Sequence, residues 1–319
     1  MFVPLRWVAL ALLFAGEAAS AQAFPAKPIR LIAPFSAGGA LDLIARAIGQ
    51  KLAEGVGKPV IVDNRAGASG AIGSELVAKS AADGYTLLLG ATTTHGINPA
   101  LNPKLQYDPV RDFTPISLVA TIPHVLVLNP AVPAKTLPEF VRYAKVRPGL
   151  AFGSAGHGSP HHLALEMLKH MAQIELIHVP YKGSGPAMTD LMSGQIQVMS
   201  VELTAASAYI KENRMRPVAI ATAKRVAGVD LPTMTELGYP GFEVTAWYAV
   251  FGPAGMPESI VTRLRSEIVK GLQAPDVKER FAGLGATPVG TTPEELGAHV
   301  KTEIARWSKV IKAGNIATE

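Results

Sequence analysis

The 319-residue chain contains no cysteine. That absence excludes disulfides, a thiolate nucleophile, cysteine-ligated metal or iron–sulfur centres and a lipid-modified N-terminal cysteine, so packing alone must stabilise the fold. Aromatic residues make up 6% and charged residues 17%, and the longest basic run is the pair Lys224-Arg225. This excludes a nucleic-acid partner, which needs a clustered basic stripe with stacking aromatics. No apolar run reaches the roughly 20 residues that span a bilayer. Repeats of 20 to 50 residues are missing too, as are a G-x-G-x-x-G after a strand and a P-loop. Gly67-Ala68-Ser69-Gly70-Ala71 lacks the last glycine of a G-x-S-x-G nucleophile elbow.

Hydrophobic residues form 48% of the chain and the mean hydropathy is +0.24. A chain of this length and apolarity buries a sizeable core, and at roughly 150 residues per domain it predicts two domains. Thirty lysines and arginines against 25 acidic residues leave a net charge of +5, a mild surplus that suits capture of an anion. Residues 1–23 read as an export signal, with Arg6 as the positive region, Trp7 to Ala15 as the apolar region and Ala21-Gln22-Ala23 as a cleavage site before Phe24, with Ala19-Ser20-Ala21 as a competing site.

Strand and helix patterns alternate after the leader. Pro28 to Phe35 is β-branched and apolar, stops at Ser36-Ala37-Gly38-Gly39, and gives way to Leu41, Ile44, Ala45, Ile48 and Leu52 at helical spacing. Val60 to Val62, a glycine turn and a helix to Ala81 repeat the unit, and Asp83-Gly84 turns the chain into Tyr85 to Leu89. A second series predicts helices over 137–146 and 159–171 and strands over 150–153, 174–179, 196–201 and 218–221. Helices over 258–272 and 293–313 close the chain, the last carrying Leu296, Val300, Ile304, Trp307 and Ile311 as one apolar stripe. Such alternation implies parallel sheet. No linker divides the chain, so the two long strand-like segments 116–128 and 242–251 are read as crossings between two lobes with a cleft between them.

Chemistry is concentrated in donor-rich turns: Ser36 to Gly39, Gly67 to Gly70, Gly153 to Ser159, and Lys182-Gly183-Ser184-Gly185. Where such a turn opens a helix, unpaired N–H groups and the helix dipole favour a carboxylate or phosphate; simple turn chemistry with a serine cap is the alternative at each. Thr92 and Thr93 follow a strand end, where α/β sheets place ligands, and turn capping is again the alternative. Asp42 complements the dipole of its helix. His157, His161, His162 and His170 surround one helix with Glu166 nearby; a metal site there competes with solvated or capping histidines, and no H-E-x-x-H is present. His157, inside a glycine loop, can donate to an anion.

Taken together, Pro34-Phe35-Ser36-Ala37-Gly38-Gly39 with Asp42 and Arg46, Asp63-Asn64-Arg65, Asp83-Gly84-Tyr85, Tyr107-Asp108-Pro109, Gly153-Ser154-Ala155-Gly156, His178-Val179-Pro180-Tyr181-Lys182-Gly183 and Pro253-Ala254-Gly255 resemble, in order, the substrate-binding receptors of tripartite tricarboxylate transporters, the Bug receptors. The resemblance implies an α/β, two-lobed periplasmic binding protein of type II with a ligand cleft between the lobes, lobe one comprising 24–121 plus 250–319 and lobe two 122–249. It implies a non-enzymatic receptor that captures a small carboxylate and hands it to membrane subunits of a transporter, as a monomer and without cofactor or metal. The ligand residues expected from the turns and the resemblance together are Phe35, Ser36, Ala37, Gly38, Gly39, Thr92, Thr93, Ser154, Ala155, Gly156, His157, Ser159, Glu202 and Thr204. Relatives often carry Asp or Asn near Glu202, which would repel a second carboxylate or accept from an ammonium or hydroxyl group. The alternatives are a secreted hydrolase using Ser154 or Ser159 with His157 or His162, and a receptor coupled to a membrane sensor.

Overall fold

The computed structural model describes residues 24–181, 183–226, 228–314 and 316. The leader at 1–23 and Lys182 of the fourth donor-rich turn lie outside the described residues.

Strand β1 (Ile29–Ala33), helix α1 (Ala40–Val56), β2 (Val60–Asn64), α2 (Ala71–Ala78) and β3 (Thr86–Ala91) form two strand–helix–strand units. The strands lie parallel in the order β2-β1-β3, as the alternation predicts. A π-helical turn, Thr93–Ile97, leads into the short α3 (Asn98–Leu101) and then to the 16-residue β4 (Phe113–Leu128). The second series follows: α4 (Leu137–Lys145), β5 (Ala151–Ser154), α5 (Pro160–Ala172), β6 (Ile177–Pro180), α6 (Ser184–Ser193), β7 (Val198–Glu202), α7 (Leu203–Lys211) and β8 (Arg216–Ile220). The chain returns through β9 (Thr245–Pro253) and ends in α8 (Glu258–Leu272), α9 (Pro275–Gly283), β10 (Thr287–Pro288) and α10 (Pro293–Ala313).

Strand β4 belongs to both sheets. From Phe113 to Pro123 it pairs antiparallel with β9, which also pairs with β3; from His124 it pairs antiparallel with β7 and, from Val125, with β8. Parallel pairing therefore holds among β1, β2 and β3 and among β5, β6 and β7, but not at the centre. An outgoing and a returning strand run in opposite directions, so they can pair only antiparallel. The return differs from the expected 242–251: pairing starts at Thr245, while Phe242 and Val244 plug the second core. Likewise only Ile177–Pro180 of the expected strand at 174–179 pairs, Ile174 and Leu176 being buried in that same core. An apolar run signals burial, and a strand only if a partner edge is in reach.

Each sheet is covered on both faces. Leu41, Ile44, Ile48 and Leu52 of α1 pack with Leu264 and Ile268 of α8 on one face of the first sheet, and α5 packs Leu163 and Leu168 on one face of the second. Helix α10 spans the two. Its Leu296 and Val300 join the first lobe's outer core, and Trp307 and Ile311 join the second lobe's core. Its start is fixed by sequence: the Thr292 hydroxyl accepts from Glu295 N, the Glu295 carboxylate accepts from Thr292 N, and Pro293 occupies the first turn.

Candidate functional site

A cavity of about 550 Å³ lies between the lobes. The first lobe contributes Phe35, Ser36 and Gly39 of the β1–α1 turn, Ala40 and Leu41 at the start of α1, Ser69, and Ala91, Thr92 and Thr93 at the end of β3. Ala246, Trp247 and Tyr248 of β9 also line it. The second lobe contributes the loop Ala155 to Ser159, Pro160 and His161 at the start of α5, Gly183 and Ser184 at the start of α6, and Glu202 at the end of β7. Carboxyl ends of strands and amino ends of helices thus face one space.

Three helix N-termini converge there. Helices α1 and α6 start from glycines, Gly39 and Gly183, and neither start has a side-chain cap. Their first N–H groups have no intrahelical acceptor and carry the positive end of the dipole. Helix α5 is capped: Ser159 Oγ accepts from His162 N at 3.3 Å and donates to the Gly156 carbonyl at 2.7 Å.

Both loops that face the cavity are braced from behind. The buried Asp42 carboxylate accepts from Gly38 N, Arg46 Nε and Asn64 Nδ2, each at 3.0 Å. Burial pushes its pKa up, but Arg46, Gly38 and Asn64 outweigh that and hold it below the usual carboxylate range. The Gly38 amide, with φ +88°, is therefore committed to Asp42. In the second loop the fully buried Ser154 hydroxyl accepts from Gly156 N at 3.1 Å and pairs with His178 Nε2 at 2.7 Å. Gly158 N donates to His162 Nδ1 at 3.2 Å, and His162 stacks on His178 with ring centroids 3.9 Å apart. Burial, reinforced by neighbouring cationic or imidazole groups, pushes His162 down to about 3 and His178 to about 4, so both are neutral near pH 7 and His162 can accept.

Most of the expected ligand residues therefore meet: Phe35, Ser36, Gly39, Thr92, Thr93, Ala155, Gly156, His157, Ser159 and Glu202 line the cavity. Ala37, Gly38, Ser154 and Thr204 do not. Gly38 and Ser154 shape the loops from inside, and Thr204 turns away to donate to the Leu284 carbonyl. Thr92 carries a second duty, its hydroxyl accepting from Trp247 N at 2.8 Å and tying β3 to β9. The sequence reading missed Ala40, Leu41 and the β9 residues as wall, and it marked Gly183 and Ser184 as a donor-rich turn without including them in the ligand set.

None of the four serine–histidine pairings weighed for a hydrolase is formed by side chains among the described residues. Ser154 bonds His178 instead, and Ser159 meets His162 only through its backbone N–H. Of the metal set weighed on α5 only His162 and Glu166 approach, at 3.7 Å; Lys169 Nζ lies 2.8 Å from both Glu166 oxygens, and His170 is exposed. A different trio meets instead. His161 Nε2 lies 3.1 Å and His124 Nε2 4.0 Å from the Glu202 carboxylate, and His124 Nδ1 lies 3.1 Å from Ser200 Oγ. Burial works against the Glu202 charge, yet His161 and His124 hold it well below the ordinary carboxylate range, whereas burial drives His124 down to about 3.

Fold and cleft define a class, that of the two-lobed solute-binding receptors. Solved relatives agree: Rpa4515 of R. palustris, described with adipate, is 37% identical with a TM-score of 0.84, covering 93% of this chain and 100% of its own. MatC of Rhodopseudomonas palustris, with bound malate, is 35% identical with a TM-score of 0.78 over 90% of this chain and 100% of its own. The periplasmic binding protein BugD is 33% identical with a TM-score of 0.81, covering 93% and 100%. Among curated proteins, BugT of Bordetella pertussis is 39% identical over 296 residues, 92% of this chain and 91% of its own. Residues 44–316 match the model of the tripartite tricarboxylate transporter family receptor, and the chain belongs to that family.

Proposed function

We propose that this chain is an exported receptor that captures a small carboxylate in the interlobe cleft and delivers it to the membrane subunits of a tripartite tricarboxylate-type transporter, without turning it over. The observation that carries this reading is the convergence of the α1, α5 and α6 N-termini on one cavity, two of them without a side-chain cap. The exchange of β4 partners at Pro123–His124 and the start of β9 pairing at Thr245 support hinges at these two crossings, about which the lobes close on the anion. Ala155, Gly156, His157 and Ser159 would grip from one side, and Ser36, Gly39, Thr92 and Thr93 from the other. Adipate and malate, found with related structures, are the first ligands to try. Among the described residues no helix is long and apolar enough to cross a membrane, in keeping with a receptor that relies on separate membrane subunits. A hydrolase reading has little support, because Ser154 is buried and Ser159 is spent on capping.

Calorimetric titration of the purified chain with mono-, di- and tricarboxylates tests the proposal. It expects saturable binding of one carboxylate class at one site per chain with no product formed. Absence of binding across the panel, or turnover of any member, would overturn it.

A further inference from the structure

Glu202 puts a carboxylate on the wall of a cavity whose helix N-termini favour anions. A bound carboxylate would meet that charge unless something neutralises it. A fully buried nitrogen, His124 Nε2, lies 4.0 Å from it without a hydrogen-bond partner. Unsatisfied buried polar atoms are rare and ask for a physical explanation.

The register supplies the trio. His124 and Glu202 are direct partners across the β4–β7 ladder, and the first turn of α5 brings His161 over them. One ligand atom from each of the three residues can be chosen so that all lie within 4.8 Å of one another. A tetrahedral ion with bonds of about 2.0–2.1 Å needs its ligand atoms about 3.3 Å apart. His161 Nε2 is 3.1 Å from Glu202 Oε2 and His124 Nε2 4.0 Å from Glu202 Oε1, and with all three ligand atoms within 4.8 Å of one another the site closes on an ion by side-chain rotation of up to about 1.5 Å. Ser200 Oγ, at 3.1 Å, can accept from His124 Nδ1–H, which leaves the Nε2 lone pair free. A hydrogen-bonded outer nitrogen on an imidazole whose inner nitrogen is free is the arrangement that fixes a metal-ligating tautomer.

We propose that His124, His161 and Glu202 bind a first-row divalent transition ion, Zn²⁺ foremost, with a remaining coordination position facing the cleft. Two imidazoles and one carboxylate suit Zn²⁺ better than Mg²⁺ or Ca²⁺, which prefer all-oxygen sites. The ion turns the local charge from −1 to +1. Resting on the receptor reading, a carboxylate of the captured ligand fills the open position, so the ion converts a repelling wall into an attracting one. The proton that His161 holds on Nε2 against Glu202 moves to Nδ1 when the Nε2 lone pair turns to the ion, so the imidazole stays neutral.

The test uses the whole purified chain after chelator treatment and dialysis. Titration with ZnCl₂ alone, and with CoCl₂ followed by the visible spectrum of a low-coordinate cobalt site, is expected to give one ion per chain. Glu202→Gln and His161→Gln should weaken Zn²⁺ binding tenfold or more. Ser200→Ala, which leaves all three ligands in place, should weaken it about ten- to a hundredfold. His170→Asn, an exposed histidine on the same helix, should leave it unchanged. Zn²⁺ binding that is undetectable in the wild type, or equal in Glu202→Gln, overturns the site, and circular dichroism separates that result from misfolding. Adipate titrated with and without Zn²⁺ keeps the two readings apart. Equal adipate binding in both, without Zn²⁺ uptake, sinks the metal site and leaves the receptor standing; Zn²⁺ uptake with no carboxylate bound under either condition does the reverse.

Discussion

Gly39→Asp separates binding from folding at a single position. Gly39 is the N-cap of α1 with φ −81° and ψ 171°, extended backbone open to any residue, and a Cβ there would meet nothing within 4 Å. An aspartate would accept from the free N–H groups of the first turn, adding a few tenths of a kcal/mol relative to glycine. The same carboxylate would sit where the ligand's carboxylate is proposed to sit. A hydrogen bond from an amide to a charged oxygen contributes about 1.5–3 kcal/mol and the helix dipole about 0.3–1 kcal/mol. Losing one such contact to an internal competitor costs about 2–4 kcal/mol, or roughly 30- to 700-fold in Kd. Titration calorimetry with the best carboxylate, beside urea unfolding, reads both quantities. The expected variant is as stable as the parent and binds at least 30-fold more weakly. Affinity within threefold of the parent would refute the assignment of α1 as a gripping element.

Two further outcomes test the supports of the cleft. His95 is fully buried and desolvation alone pushes it down to about 3 from 6.5, so the unfolded chain takes up its proton first as pH falls; stability is full above pH 6.5 and is lost below it. Between pH 7.5 and 5 this group costs about 2 kcal/mol, a figure set by the unfolded pKa as long as the folded one stays below 5; His95→Phe, stacked on Phe251 like the native ring, should shrink the difference in urea-derived stability between those pH values by that amount, and an unchanged difference would contradict the burial argument. The buried Glu303 carboxylate accepts from Trp247 Nε1 at 2.9 Å and Trp307 Nε1 at 3.1 Å and pairs with Arg306, joining β9 to α10; Glu303→Leu strands both indoles and should lower unfolding free energy by about 3–5 kcal/mol, whereas a loss under 1 kcal/mol would show that the junction is held by packing alone.

The sequence by itself determined what depends on neighbours along the chain. Alternating apolar periods defined the strand–helix units, the stripe through Trp307 defined the buried face of α10, and glycine-rich turns after strands marked both loops that face the cavity. It also located the long crossing segment before any pairing was known. What it could not give was partner choice. Whether Gly38 offers its amide to a ligand or to Asp42, and whether Ser154 faces the cavity or bonds His178, turns on side chains brought in from α1 and β6. Thr204 stands two residues after Glu202, yet one faces the cleft and the other bonds the Leu284 carbonyl across the lobes. His124 and Glu202 are 78 positions apart and show no shared pattern; only the register of β4 on β7 makes them face each other, and only the fold of α5 lays His161 upon them. Local propensity acts through a few residues, whereas a binding wall is assembled by strand pairing and packing at long range, and those were decided by the tertiary structure.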